Sequence, residues 1–331
     1  MAELRREPVA LRWVVIITSE TKGPKDYLAF RKPYREIEPV EPCPFCAGNE
    51  PLTPGQILAL EGDEKGKWSV RVVPNKFPFF RIEGELDRRP EGMYDVMNAI
   101  GAHEIIIETP DHEGGWGRMG SDQIQRILRA YRERASDLAR DKRFRQILIL
   151  KNHPGVFYLH PHSHVLAMPV IPRRIDEEVV GTVDYFKRKE RCIFCDIIKE
   201  EITSGKRVIL ETAHFLCFCP FASRYPFETW IIPKRHSPDF VSIGDEEMQD
   251  LASVMGSVFG RLLRLLQDPP YGFAIHSSPV QDKHHRAEYH WHIEIRPRIG
   301  LREGFEWATG FFVNSTPPEL AATYLRETDS T

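Results

Sequence analysis

No stretch of this 331-residue chain is apolar for long enough to cross a membrane. The longest apolar runs, such as Trp13 to Thr18, stop far short of the roughly 20 residues that a spanning helix needs. Charge has no bias of sign either. Lys and Arg number 45 against 48 Asp and Glu, a net charge of -3, so no basic field points to nucleic acid or to an anionic membrane. The opening MAELRREPVALRW has no apolar segment ahead of its charges, so no secretory leader is expected and the protein reads as cytoplasmic. Cysteine is scarce, six in all. A large cytosolic chain does not rest on a disulfide framework, and paired cysteines there bind metal or do redox work.

What is present is a repeat. Four cysteines form two Cys-x-x-Cys pairs, Cys43/Cys46 and Cys192/Cys195, and each pair opens the same series of landmarks. In the first half, CPFC is followed by the β-branched run EIIIETP ending at Asp111-His112. An amphipathic helix from about Ser121 to Arg140 comes next, then the strand QILIL, a loop, and HPHSH at 160–164 running into VLAMPVIP. Ile124, Ile127, Leu128, Tyr131 and Leu138 fall at helical spacing, with Ser121 as the expected N-cap. In the second half, CIFC is followed by TWIIP ending at Lys234-Arg235-His236. A helix from about Asp245 to Gln267 comes next, then YGFAIHSS, a loop, and HWHIE at 290–294 running into IRP. Leu251, Val254, Met255, Val258, Leu262 and Leu265 form its buried side. Both halves therefore predict an α+β unit, an antiparallel sheet packed by one long helix. The charged segment from Arg173 to Lys189 shows no core pattern and reads as the bridge, dividing the chain into 1–175 and 176–331. Cys217 and Cys219, in HFLCFCPF, are expected as small core residues on a strand.

Structural zinc takes four borderline or soft ligands in a tetrahedron, often two of them from a tight Cys-x-x-Cys turn. The repeat offers two such sets: Cys43, Cys46, His112 and His160, and Cys192, Cys195, His236 and His290. Thioredoxin-like redox use is the rival, but it calls for a pair at the start of a helix, and both pairs here read as knuckle turns. Near the second set, Glu178, His276, His290 and His292 offer an alternative nitrogen and oxygen site suited to iron or zinc. His284 and His285 read as surface residues. Alternation along a strand puts His160, His162 and His164 on one face. With His160 on a metal, His162 is held beside it as a neutral imidazole able to attack an activated phosphoryl group; the other reading makes all three histidines metal ligands.

The segments RREPVALRWVVI, CPFCAGNE, VVPNKFP, HPHSH, CIFCDII, YPFETWIIPKRHS, DPPYGFAIHSSP, YHWHIEI and GFEWATGFFVNSTPPE together resemble the galactose-1-phosphate uridylyltransferase branch of the histidine triad (HIT) superfamily, including its ADP-glucose phosphorylase-like members. The resemblance spans nearly the whole chain. It implies a duplicated HIT-like domain, two zinc sites on the ligand sets above, and His162 as nucleophile in a ping-pong transfer of a nucleoside monophosphate. The partners it implies are a nucleotide sugar and a sugar 1-phosphate or inorganic phosphate, and it allows a homodimer. It also implies nucleotide contacts at Asn75, Lys76 and Phe77, a phosphate-proximal Asn152, and second-substrate contacts at Glu306 and Gly310. Phe305, Trp307, Phe311 and Phe312 are expected as core. In the second copy His292 and Glu294 take the places of His162 and His164, which implies a copy without catalysis.

The chain departs from the family near the phosphates. The third triad place is glutamine in the uridylyltransferases and His164 here; histidine can also carry a proton to a leaving group, as in the hydrolytic branches. A phosphate-contacting serine is replaced by Phe157. Two arginine places near the amino terminus hold Glu20 and Gly23, with Lys22 or Lys25 as substitutes. The expected function is hexose-1-phosphate nucleotidyl transfer. ADP-glucose phosphorolysis or nucleotide hydrolysis through His164 is the first alternative, and a zinc-knuckle binding protein without turnover is the other.

Overall fold

The structure is a computed structural model describing residues 1–28, 41–155, 158–281, 287–300 and 304–328. Phe157, His284 and His285 lie outside the described residues. In chain order the elements are β1 (Ala2–Arg6), β2 (Trp13–Ile17), α1 (Pro24–Leu28), β3 (Leu58–Glu61), β4 (Trp68–Pro74), β5 (Arg89–Glu91), β6 (Tyr94–Val96), β7 (Ala102–Ile107), α2 (Ser121–Leu138), β8 (Gln146–His153), β9 (His162–Met168), α3 (Arg173–Lys189), α4 (Ile193–Ser204), β10 (Val208–Glu211), β11 (Phe215–Phe218), β12 (Thr229–Pro233), α5 (Asp245–Leu266), β13 (Tyr271–His276), β14 (His292–Pro297), α6 (Gly304–Thr309), β15 (Phe312–Asn314) and α7 (Pro318–Glu327).

Ten strands form one sheet in the order β10-β11-β12-β14-β13-β8-β9-β7-β4-β3, with every pairing antiparallel. Each half supplies five strands in the same spatial order. The antiparallel sheets read from the repeat are thus joined edge to edge, where β8 meets β13 with Ile149 opposite Ile275 and His153 opposite Tyr271. That junction pairs two rows of backbone N–H and C=O groups that separate sheets would leave open at an edge.

The two long helices lie side by side on one face of this sheet. Ile124, Ile127, Leu128, Tyr131 and Leu138 of α2 are buried there, with Leu251, Val254, Met255, Val258 and Leu262 of α5. Cys217 and Cys219 join the same core. At the start of α2, Gly120 and not Ser121 is the N-cap. At the start of α5 the Glu247 carboxylate accepts from the Gly244 N–H at 3.0 Å, closing the first turn.

Two segments differ from their sequence reading. Residues 173–189, read as a charged bridge without a core pattern, form the helix α3. Its buried stripe is Ile175, Glu178, Gly181 and Thr182, a face that hydropathy does not mark as core. The second cysteine pair is not a knuckle: Cys192 is the N-cap of α4 and Cys195 lies in its first turn. The first pair does lie in a turn, Cys46 N–H reaching the Cys43 carbonyl at 3.4 Å. α4 covers the sheet face opposite to α2 and α5, with Ile193, Phe194 and Ile198 packing on Leu216, Phe218 and Trp230.

The chain ends meet. β1 and β2 form a small sheet with β15, which runs parallel to β2, and both α1 and α7 pack on α5. No helix among the described residues is long and apolar enough to cross a membrane. Phe305 and Trp307, expected as core, are exposed, and Phe311 and Phe312 are half-buried.

Gly181 lets α3 touch the amino-terminal segment, since a Cβ there would stand 1.8 Å from the Val9 carbonyl oxygen. Glycine to alanine inside a helix ordinarily stabilises by up to about 1 kcal/mol. Here the clash is with backbone, and overpacking of that kind costs about 1–3 kcal/mol. Gly181→Ala is therefore expected to lower the midpoint of urea unfolding, and a raised midpoint would contradict the packing.

Candidate active site

The histidines leave the sheet on the face away from α2 and α5. On β9, Val165 and Ala167 enter the helix-covered core, so His162 and His164 alternate to the other side. His160 stands just before the strand. Its Nε2 donates to the Thr109 carbonyl at 2.8 Å, which turns Nδ1 toward the cysteines, 3.7 Å from Cys43 Sγ and 3.6 Å from Cys46 Sγ. His112 Nδ1 is 3.3 Å from Cys46 Sγ. An ion with Zn–S near 2.3 Å and Zn–N near 2.0–2.1 Å, at tetrahedral angles, holds sulfur and nitrogen about 3.5 Å apart. The four donors lie within 4.8 Å of one another, and their spacing fits such an ion.

The second set repeats the arrangement. His290 Nε2 donates to the Pro233 carbonyl at 2.9 Å. Its Nδ1 lies 3.7 Å from Cys195 Sγ, and His236 Nδ1 lies 3.5 Å from the same sulfur. With Cys192 these four donors also fall within 4.8 Å.

His162 is tied to the first set. Its Nδ1–H donates to the His160 carbonyl at 2.7 Å, which leaves the Nε2 lone pair available. Burial pushes its pKa down to about 4, against the opposing pull of the His160 carbonyl, so the imidazole is neutral at physiological pH. Gly155 lies against the ring: a Cβ there would be 2.5 Å from His162 Cε1 and 2.2 Å from the Tyr158 carbonyl oxygen. Only glycine lets the 153–155 turn approach so closely.

His164 is half-buried, with Nδ1 3.1 Å from Nε2 of His103 on β7. Burial, followed by the neighbouring His162, His103 and Lys151, pushes its pKa down to about 3. Burial alone pushes His103 down to about 4. Asn75, at the end of β4, reaches the His103 ring, and its Oδ1 accepts from the Phe77 N–H at 2.9 Å. Phe77 and Lys76 are exposed beside it. Asn152 on β8 sits where the antiparallel count from Leu150 opposite His164 places it level with His162. Asn75, Lys76, Phe77 and Asn152 therefore come together around the histidine strand. Among the described residues no hydrogen bond joins Glu306 or Gly310 to His160, His162 or His164. Glu306 lines a cavity of about 620 Å³ with Lys22, Arg296 and Arg298.

Sequence reasoning missed two features. One is His103, in phase with Ile105 and Ile107 on β7 but without any spacing signal of its own. The other is the pair beneath the strand, where Lys151 Nζ lies 2.6 Å from Glu108 Oε2 with both side chains essentially inaccessible. The same ammonium donates to the His162 carbonyl at 3.0 Å, and Tyr131 donates to Glu108 at 3.2 Å.

The duplicated place is closed. His292 Nδ1–H donates to the His290 carbonyl at 3.1 Å, as His162 does to His160. But His292 is wholly buried between Phe194 and Trp230, with ring centroids 4.8 and 4.9 Å away. Glu294, in the place of His164, is held by Arg224 at 2.9 Å and by Arg174. Glu178, His276, His292 and Glu294 gather within 4.8 Å, so Glu294, and not His290, completes the nitrogen and oxygen cluster. Its carboxylates are already engaged. Glu178 accepts from His276 Nδ1 at 3.0 Å and from Tyr289 at 2.8 Å.

Profiles of the galactose-1-phosphate uridyl transferase N-terminal and C-terminal domains match residues 13–172 and 178–299. ADP-glucose phosphorylase of Arabidopsis thaliana is 32% identical over 99% of this chain and 93% of its own length. The chain belongs to the galactose-1-phosphate uridyl transferase family. It is an enzyme of that family of hexose-1-phosphate nucleotidyltransferases. The family's galactose-1-phosphate uridylyltransferase of Thermotoga maritima is 26% identical over 99% of both chains. Among solved structures, an Arabidopsis thaliana ADP-glucose phosphorylase with bound ADP-glucose superposes with a TM-score of 0.84 at 30% identity, covering all of both chains. A uridylyltransferase superposes with a TM-score of 0.76 at 25% identity, covering 99% of this chain and 98% of its own.

Removing one partner of a buried ion pair costs about 3–5 kcal/mol. Lys151→Met is expected to lower unfolding stability by about that much, because Glu108 stays buried without its cation. The double variant Lys151→Met/Glu108→Gln should recover most of it, and urea unfolding of the three proteins checks both.

Proposed function

We propose that the chain transfers a nucleoside monophosphate from a nucleotide sugar to a phosphate acceptor through a covalent bond to His162. Residues 1–175 would form the catalytic unit and 176–331 a second unit without catalysis. The observation that carries the reading is the His162 Nδ1 bond to the His160 carbonyl. It fixes a neutral tautomer whose Nε2 lone pair is free to attack. Attack at the α-phosphorus forms the P–N bond and breaks the P–O bond to the sugar phosphate, which leaves with the electron pair. An incoming sugar 1-phosphate or inorganic phosphate then forms a new P–O bond, and the P–N bond breaks.

Asn75, Lys76, Phe77 and Asn152 surround this strand and would bind the nucleotide. Exposed Phe77 and Phe79 offer ring faces for a base. Glu306 and Gly310 would serve the second substrate, from a position outside the triad in this chain. The full-length similarity to ADP-glucose phosphorylase makes ADP-glucose the first donor to try, and UDP-glucose the second.

Zinc is the metal that the two cysteine sets suit by donor chemistry and spacing. When bound it would hold His160, and through it the start of the catalytic strand, in place; the reaction is carried by the chain's own histidine. The iron alternative loses support because Glu178 and Glu294 are already paired with His276, Arg174 and Arg224. Native mass spectrometry is expected to find two zinc ions per chain, with one lost in Cys43→Ser and the other in Cys195→Ser. A zinc-free, folded and active protein would contradict the assignment.

Intact-protein mass after brief mixing with ADP-glucose or UDP-glucose, worked up without acid, tests the covalent step. A gain of one nucleoside monophosphate is expected, absent in His162→Ala, which should also lose all transfer. Retained transfer in His162→Ala would end the proposal.

A further inference from the structure

His103 stands one strand away from the triad, on β7, where it faces Leu166 across the β7–β9 ladder while His164 faces Ile105. The two histidines are therefore diagonal neighbours on one sheet face, within reach of ring side chains. His103 is buried and makes three polar contacts. The Phe79 backbone N–H points at Nδ1, 3.3 Å away. A backbone amide can only donate, so Nδ1 carries a lone pair and the ring proton sits on Nε2. Asn75 Nδ2 is 3.0 Å from Nε2 and 3.4 Å from Nδ1. Near-equal distances to two atoms on opposite sides of the ring's Cε1 place that amide over the ring face, in line with neither lone pair. The remaining contact, 3.1 Å from Nε2 to His164 Nδ1, is then a hydrogen bond with His103 as donor.

We propose that His103 is a positioning residue that holds His164 as the neutral Nε2–H tautomer, so that His164 serves as a fixed hydrogen-bond donor to the transferred phosphoryl group and not as an acid or base for water. This rests on the nucleotidyl-transfer reading of His162. With Nδ1 of His164 accepting from His103, its own proton must sit on Nε2, which has no protein partner among the described residues. Protonating His164 would set two N–H groups against each other across that contact. His103 cannot turn away without losing the Phe79 amide. The titratable groups around His164 act the same way: His103 from β7, His162 from its own strand and Lys151 from β8 all disfavour a positive charge, and burial adds to them. A neutral imidazole that only donates does what a side-chain amide does. The histidine in the place of the family's glutamine thereby keeps the transferase role that its proton chemistry alone would have put in question.

The test compares His103→Gln, which keeps an amide donor toward His164, with His103→Leu, which does not. For the wild type and His103→Gln, kcat/KM for ADP-glucose with inorganic phosphate is expected to stay level from pH 8 down through pH 6, with no free AMP released. For His103→Leu, transfer should fall about tenfold for the lost donor, the acid limb of the profile should move up toward neutral pH while burial, His162 and Lys151 still hold it below the ordinary histidine value, and free AMP should accumulate. A His103→Leu enzyme with the wild-type profile and partition would overturn the proposal. Nitrogen-15 NMR of histidine-labelled full-length protein reads the tautomer without turnover. His164 protonated on Nε2 supports the assignment, and protonation on Nδ1 overturns it. If the wild type shows no adduct on His162, the transfer reading has failed, while the tautomer measurement still decides the His103–His164 contact.

Discussion

A single hydrogen bond couples the first cysteine and histidine cluster to the ring proposed to react. The Nδ1–H of His162 ends on the carbonyl of His160, two residues earlier, and His160 is itself held by the Thr109 carbonyl with its other nitrogen among the cysteines. The orientation of the His162 ring is therefore set by backbone atoms, which move only if the strand moves. Beneath it, the Lys151–Glu108 pair fixes the same strand from the sheet interior by binding the His162 carbonyl. Neutrality of the ring and direction of its lone pair both result from this arrangement. Burial disfavours the cation, and the His160 carbonyl engages Nδ1 and leaves Nε2 to the cleft.

The second half repeats much of that scaffold around a ring that is more tightly covered. His290 and His292 reproduce the two hydrogen bonds of His160 and His162, and the cysteine set is repeated. What differs is access. Phe194, in the first turn of α4, packs on His292 as Phe45 packs on His162, but Trp230 also stacks on the other side of the His292 ring. Glu294 is neutralised by two arginines. Both halves share one continuous ladder through β8 and β13, so the stability of the sheet does not require two open clefts.

Much of this was legible in the sequence. The apolar spacing of α2 and α5, the repeat of landmarks and the two clusters of cysteine and histidine all appear in the structure where the sequence reading put them, because each depends on local period or on residue types with few uses. The helical nature of residues 173–189 was not legible. Its buried face is made of Ile175, Glu178, Gly181 and Thr182, and those residues bury by pairing and by close backbone approach, which hydropathy does not register. The helix start at the second cysteine pair was equally hidden, since CIFC and CPFC share one cysteine spacing and only the first is closed as a turn once the chain has folded.

The sequence by itself determined the duplicated α+β plan, the two clusters of cysteine and histidine and the strand that His160 precedes and that carries His162 and His164. These come from periodicity, from the order of landmarks and from the narrow chemistry of cysteine and histidine. Tertiary structure alone decided which histidine faces an open side, which is sealed, and which partners each ring meets. Those choices depend on contacts between residues far apart in the chain, such as His103 with His164 and Lys151 with Glu108, and no local pattern encodes the distance between strands that meet only after folding.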